Sequence, residues 1–434
     1  MKKNFDQIPE IEKASKEEIR KFQNGELQKL MTYLHENSSY YQSVFAREGI
    51  DYRDIKTVED LQKLPVTTKD DLQKHNRDFQ CVDDRQIIDY VTTSGTLGDP
   101  VTFAMTDHDL ERLSYNEYIS FGCANTTPDD VYQLMLTLDK RFLAGIAYYM
   151  GLRKHGAGIV RVGPGSPELQ FDSIKRFNPT ALVTVPSFLP RLLDYAEGKG
   201  IDLSKTSIKK AVCIGEPIRN IDFSLNTLGK RIKDKWDIEL YSTYASTEMG
   251  TAFTECEKGR GGHHHPELII VEFLDENNQA VKPGEAGEVC ITTLGVEAMP
   301  LLRFKTGDIC HHYDEPCACG RNTIRLGPVI GRRQQMIKFK GTSLYPPAFY
   351  DVLNDMEEVK NYIVELRTNK LGTDEVSVIV GSMRRDEKFI KMLKDAFRVK
   401  LRVAPEIIFE DPKIVQARLF ENDSRKPVVF RDLR

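Results

Sequence analysis

No stretch of this 434-residue chain approaches the ~18 consecutive apolar residues of a bilayer-crossing helix, which excludes a membrane-spanning segment of that kind. Nor does an apolar run follow the lysines of the opening MKKNFDQIPEIEKASKEEIR, so it does not read as a secretory signal. The expected location is the cytoplasm, with no membrane partner. Charge of one sign is also missing. The 61 Lys and Arg against 65 Asp and Glu leave a formal charge of −4, which removes the broad basic surface that nucleic-acid binding needs. Small molecules are the expected partners. Eight cysteines are too sparse for a disulfide framework in a chain of this length, and their clustering favours metal instead. Five of them, with five of the nine histidines, lie between residues 256 and 319. Hydrophobic residues make up 40% and charged residues 29%, an ordinary globular balance that excludes global disorder and a fibrous repeat. At ~150 residues per domain the length implies about three domains, or one large and one small.

The chain opens with a helical lead-in over 1–85. Glu17 to Glu36 carries apolar residues at Ile19, Phe22, Leu27, Leu30, Met31 and Leu34, a stripe with helical spacing. Over 86–266, β-rich runs alternate with helical ones: IIDYVTT, DHDLERLSYNEYISFG, VYQLMLT, AGIVRVG, the helix around Gln170 to Phe177, ALVTVP and KKAVCIG. This rhythm predicts a mainly parallel sheet with covering helices. From 267 to 333 the texture changes to LIIVEFLD, the polar turn ENNQ, GEVCITTL and MPLLRFKTGD, which predicts an antiparallel β subdomain. A last unit over 334–434 has helix PPAFYDVLNDM, strands NYIVELR and EVSVIVG, helix DEKFIKMLKDAFRVKL and strand PEIIFE, a split βαβ-like pattern. The expected class is therefore α/β: a large N-terminal domain over 1–333 and a small α+β C-terminal one.

Five segments carry chemistry. The first, Val91-Thr-Thr-Ser-Gly-Thr-Leu-Gly-Asp-Pro100, is dense in small residues whose N–H groups and hydroxyls suit phosphate oxygens. It lacks the Gly-Lys-Ser/Thr of a P-loop, and a polar turn would read the same way. The second, Tyr244-Ala-Ser-Thr-Glu248-Met-Gly, offers an aromatic to stack on a base, a hydroxyl for a phosphate and a carboxylate for Mg²⁺. In the third, Arg303-Phe-Lys-Thr-Gly-Asp308, a carboxylate just after a Gly turn could accept both hydroxyls of a ribose. The fourth is Gly331-Arg332 leading into Ile337-Lys-Phe-Lys-Gly341, and the fifth is the tail from Arg425-Lys426 to Arg434. Each alone also reads as surface.

Together, in this order, the five resemble the adenylate-forming acyl-activating enzymes, and within them the phenylacetate–coenzyme A ligase family. The resemblance covers nearly the whole chain. It implies that Thr93, Ser94, Gly95 and Thr96 line a phosphate loop. Tyr244 would stack on adenine near Gly215, Glu216 and Pro217, followed by Ala245 and Ser246. Thr247 would touch the α-phosphate, Glu248 would bind Mg²⁺, and Asp308 would take the ribose hydroxyls with Arg332 beside it. Lys426 would be the mobile lysine joining carboxylate to α-phosphate, and the small domain would rotate between half-reactions. A homodimer is also implied. Two departures stand out. Gly98-Asp99-Pro100 replaces the family's Gly-Lys-Pro, and Gln334 and Gln335 replace aspartates at the hinge. Lys426 still sits six residues before Asp432, as the family pattern expects.

Cys256-x6-His263 and Cys317-x-Cys319 supply one imidazole and three thiolates, a set suited to tetrahedral zinc. Some members of the resembling family carry a similar arrangement, and the register to Glu272 favours His263 over His264 or His265. Four protein ligands leave no open position, so the zinc would be structural. His311 and His312 read as surface or packing residues.

The expected activity is ATP-dependent conversion of an aryl or arylacetic acid, through an acyl adenylate, to an acyl-CoA thioester. The expected cofactors are ATP, Mg²⁺, coenzyme A and Zn²⁺. The acid pocket is expected near 141–149, the Gly215-Glu216 turn and the 245–250 loop, with Phe142, Tyr148 and Tyr149 as candidate walls that also read as core. Two alternatives remain. One keeps adenylation but transfers to a carrier-protein thiol or another acceptor, which dependence on free CoA would separate. The other is a zinc-stabilised nucleotide-binding protein without catalysis, against which Glu248, Asp308 and Lys426 argue.

Overall fold

Short, fully buried runs such as Ala181–Thr184 and Lys210–Ile214 form the centre of a six-stranded sheet. Apolar runs of this kind need cover on both faces, which parallel strands with crossover helices provide. The order is Gly158–Arg161, Val131–Leu134, Ala181–Thr184, Lys210–Ile214, Glu239–Ser246 and Thr251–Thr254. All neighbours are parallel except the last pair, an antiparallel hairpin. The computed structural model describes residues 8–93, 101–339, 342–369, 374–420 and 427–434. No described helix is long and apolar enough to cross a membrane.

The chain divides into two compact units. The larger takes in 1–225, 231–306 and 310–329, and the smaller 226–230, 307–309 and 330–434. A second, five-stranded sheet runs in the order Ile269–Leu274, Ala286–Thr293, Phe304–Tyr313, Arg325–Arg332 and Gly262–His263. The first two strands are antiparallel, the hairpin texture read from the sequence. The smaller unit holds the four-stranded sheet Glu406–Glu410, Asp374–Gly381, Asn361–Thr368 and Phe430–Asp432, backed by helices Pro346–Asn354 and Glu387–Leu401.

One expectation is corrected. IIDYVTT does not join the parallel sheet; Asp89–Thr92 pairs antiparallel with Thr102–Met105 in a separate two-stranded ribbon. Thr92 and Thr102 form the last pair of its register, and Val91 and Phe103 join the large core.

Helix ends follow their capping residues. Ser15 caps Lys16–Asn37 through a reciprocal box with Glu18, and Thr106 does the same for Asp107–Cys123 with Asp109, each satisfying N–H groups the helix leaves open. The lead-in helix buries Ile19, Leu27, Leu30, Met31 and Leu34 but leaves Phe22 exposed.

Candidate active site

In open α/β sheets, ligands bind in the crevice at the carboxyl ends of the strands. Two of the predicted segments lie at such ends. Lys210–Ile214 runs into Gly215, whose φ of +76° is a conformation glycine adopts without steric cost. Glu216 then accepts hydrogen bonds from the Ser187 N–H and hydroxyl, both at 2.9 Å, beside the end of the neighbouring strand. Past Pro217, Arg219 grips buried Glu255 through Nε at 2.7 Å and Nη2 at 2.8 Å. Glu255 in turn accepts from the Ser242 N–H at 2.8 Å. The Gly215–Pro217 turn is thus fastened on both sides.

The second segment closes the hairpin after Glu239–Ser246, with Ser246 paired to Thr251. Tyr244 lies over Phe253, its cross-strand partner, with ring centroids 6.0 Å apart. Ala245 is exposed and Ser246 accepts from the Met249 N–H at 3.3 Å. Thr247 and Glu248 are half-buried at an open cleft that Val91, Phe103, Leu143 and Met249 also line.

One residue that no motif flagged holds this turn. Arg112, on helix Asp107–Cys123, donates from Nη1 to Gly250 O at 2.9 Å, from Nε to Leu294 O at 2.7 Å and from Nη2 to Leu268 O at 2.5 Å. Gly250 has φ +52°, and a Cβ there would stand 3.4 Å from the guanidinium. Burial pulls the Arg112 pKa down to about 10, so it is charged at neutral pH. Arg112→Met would leave three carbonyls without their donor. Unpaired buried acceptors cost ~1–3 kcal/mol each, and a urea melt should show a loss of about 3 kcal/mol or more. A change below ~0.5 kcal/mol, the size of an ordinary surface substitution, would contradict this role.

The phosphate-loop segment is described at its edges only. Thr93 is buried, donates its N–H to Val101 O at 2.9 Å and accepts at its hydroxyl from the Val101 N–H at 3.0 Å, which ties residues 93 and 101 to each other. Ser94, Gly95, Thr96 and Asp99 lie outside the described residues, as does Lys426. In the smaller unit, Asp308 is buried and accepts from Arg332 Nε at 2.9 Å. Gln334 and Gln335 lie in the short turn Arg333–Gln335. Of the candidate acid-pocket aromatics, Tyr148 is a core residue, packed edge-on against Phe121 at 5.8 Å. Tyr149 is half-buried with the Arg161 guanidinium 5.8 Å from its ring, and Phe142 is half-buried against the core around Tyr148.

The structure brings Cys256, His263, Cys317 and Cys319 together, with one donor atom from each inside 4.8 Å. The Cys256 and Cys317 sulfurs are 3.7 Å apart, and Cys319 Sγ is 3.5 Å from His263 Nε2. A disulfide requires ~2.05 Å, and all eight cysteines are free. Ligands on tetrahedral zinc, at ~2.3 Å for sulfur and ~2.05 Å for nitrogen, stand ~3.8 Å apart for S···S and ~3.5 Å for S···N. The donor set therefore fits a tetrahedral metal in both chemistry and spacing. A hydrogen bond from Cys256 holds the Cys319 thiol below the usual thiol range and pushes Cys256 above it. The three neighbouring histidines diverge. His264 Nε2 bonds Ile269 O at 2.6 Å and His265 bonds Glu12 at 2.5 Å. His312 is a packing residue, stacked on Phe273 at 4.1 Å.

The model of the AMP-binding enzyme family matches residues 19–298. The phenylacetate–coenzyme A ligase of Thermus thermophilus is 28% identical over 384 residues, covering 86% of this chain and 84% of that protein. That of Escherichia coli K12 is 26% identical, with 85% and 84% covered. The fold is that of 2-hydroxyisobutyryl-CoA ligase, solved in the postadenylation state with 2-HIB-AMP: TM-score 0.85 at 21% identity, over 98% of this chain and 92% of that one. The chain belongs to the AMP-binding enzyme family, the adenylate-forming enzymes. Within that family its relatives group it with the phenylacetate–coenzyme A ligases, which are AMP-forming acid–thiol ligases.

Proposed function

We propose that the protein activates an aryl or arylacetic acid, of the phenylacetate type, as its acyl adenylate and transfers the acyl group to the thiol of coenzyme A. The observation that carries this reading is the Tyr244–Gly250 turn, fixed by Arg112 at the carboxyl end of a parallel sheet with Thr247 and Glu248 on an open cleft. In the first half-reaction the acid's carboxylate oxygen bonds to the α-phosphorus of ATP and pyrophosphate leaves. In the second, the CoA sulfur bonds to the acyl carbon, AMP leaves with the bonding electrons, and the thiol proton is released to solvent.

Thr93, Ser94, Gly95 and Thr96 line the phosphate loop in this reading. Tyr244 and the Gly215–Pro217 turn flank adenine, with Ala245 and Ser246 continuing that wall, and Thr247 meets the α-phosphate. Asp308 takes the ribose hydroxyls, held in place by Arg332. Glu248 holds Mg²⁺, which when bound offsets polyphosphate charge. Lys426 serves the adenylation step. Zinc on Cys256, His263, Cys317 and Cys319 is structural.

The test is ATP–pyrophosphate exchange over a panel of carboxylic acids, with and without CoA. Exchange stimulated by arylacetates, followed by CoA-dependent AMP release, is the expected result. Exchange with aliphatic acids alone overturns the acid class. AMP release indifferent to CoA overturns the acceptor, and no exchange with any acid despite ATP binding overturns the activity.

A further inference from the structure

Glu12 is a carboxylate with no exposure to solvent, carried on the four-residue helix Glu10–Lys13. A helix that short does not stand alone in water, and buried charge must be paired. Both partners of Glu12 come from the loops that bear the metal-ligand cluster. Its Oε1 accepts from His265 Nδ1 at 2.5 Å, and His265 lies two residues beyond His263. Its Oε2 accepts from Arg321 Nε at 2.7 Å, and Arg321 lies two residues beyond Cys319. Arg321 also donates from Nη1 to Cys319 Sγ at 3.6 Å, while its buried Nη2 has no hydrogen-bond partner among the described residues. The segment's backbone follows the same path. The Asn322 N–H donates to Glu12 O at 2.7 Å, and its side-chain amide to Lys13 O at 2.7 Å and Ala14 O at 3.2 Å.

We propose that metal binding and docking of the N-terminal segment are one coupled event, with Arg321 as the outer partner of the metal-bound Cys319 thiolate and Glu12 as the residue that positions it. The inference rests on the zinc reading above. Three thiolates around a divalent ion leave one net negative charge, and the Arg321 guanidinium, shared with Glu12, turns its Nη1 toward that charge at Cys319 Sγ. Groups that orient and neutralise ligands from outside the coordination sphere are worth ~10–100-fold in metal affinity. Glu12 also ties together the two loops that the metal itself bridges, so each linkage lowers the cost of forming the other. Such coupling is reciprocal: whatever factor the docked segment adds to metal affinity, the metal adds to docking.

The test uses the full chain and its Glu12→Gln variant, with zinc affinity measured by competition against a chromophoric chelator. Trypsin cleavage after Lys13 and Lys16 is followed before and after chelation. The expected results are tenfold or more weaker zinc binding in the variant, and cleavage at both lysines in the wild type that accelerates by a similar factor when zinc is withdrawn. Wild-type zinc affinity in Glu12→Gln, or cleavage indifferent to chelation, overturns the coupling while leaving the zinc site standing. A wild-type protein that binds no zinc overturns the metal reading itself. If Glu12→Gln does not fold, the double variant Glu12→Met with Arg321→Met removes both buried charges at once, a change such pairs often tolerate. It should fold and show the same loss of zinc affinity, and wild-type affinity there overturns the coupling equally.

Discussion

Lys426→Ala will lower acyl-adenylate formation by roughly two to three powers of ten, the effect of removing one preorganised charge-stabilising donor, and will largely spare thioester formation from preformed acyl adenylate. The asymmetry comes from charge. In the first half-reaction a carboxylate approaches a polyphosphate, and negative charge concentrates on the α-phosphate oxygens as the new bond forms. A lysine ammonium offsets that charge where it builds. In the second, no two anions are brought together: a thiol meets the acyl carbon of a mixed anhydride, and the charge that develops departs on AMP. Lys426 itself lies outside the described residues, but the chain immediately after it is anchored. The Val428 N–H donates to Leu419 O at 2.8 Å, and Phe430–Asp432 pairs parallel with Asn361–Thr368. Replacement there should therefore leave the small unit's sheet intact. Exchange of labelled pyrophosphate into ATP reads the first step, and single-turnover release of AMP from synthetic acyl adenylate plus CoA reads the second. Equal damage to both would remove Lys426 from the adenylation role.

Features that depend on local pattern could be read from the sequence, and those that depend on distant backbone could not. Ala181–Thr184 and Lys210–Ile214 are buried on both faces, and strands in that position read as short, mostly apolar runs. IIDYVTT has the same texture, yet its partner is the four-residue strand Thr102–Met105, and no periodicity shows across which loop a strand will pair. Tyr244 to Gly250 carried its chemistry in its residue types. Arg112 did not, because its acceptors are main-chain oxygens between 138 and 182 residues away, and a carbonyl carries no residue identity. Glu12 was hidden for a related reason, with partners 253 and 309 residues distant. Arg321 offered one signal: it follows Cys317-x-Cys319 by two residues, where a cation near a thiolate pair is worth noticing. The aromatic stretch at 142–149 could not be divided by inspection, since Tyr148 faces the core and Tyr149 meets Arg161 only once the helix Leu143–His155 sets their directions.

Cys317→Ser will strip the protein of zinc and cost several kcal/mol of stability, whereas Cys81→Ser, at a half-buried thiol outside the cluster, will change stability by about 1 kcal/mol or less. The size of the first effect follows from what the metal holds. Binding of a structural zinc is worth on the order of 10 kcal/mol in apparent free energy, comparable with the whole stability of a typical domain, ~5–15 kcal/mol. Serine keeps the shape of the side chain but offers a hydroxyl in place of a soft thiolate. The remaining Cys256, His263 and Cys319 leave the fourth position open and hold the ion too weakly to retain it. The loops after Thr251–Thr254 and before Arg325–Arg332 would then be joined by the short pairing of Gly262–His263 with Arg325 and Leu326 and by Glu12, which bonds both His265 and Arg321. Acid should act in the same direction, because thiolate ligands must be deprotonated to hold the ion: zinc-dependent stability is full where the thiolates stay bound and is lost as pH falls and protons displace the metal. Metal analysis of both variants, with urea melts at neutral pH and near pH 5, reads each part separately. Unchanged zinc content in Cys317→Ser would sink the four-ligand site. Lost zinc with an unchanged melting midpoint would show that the ion does not carry the fold.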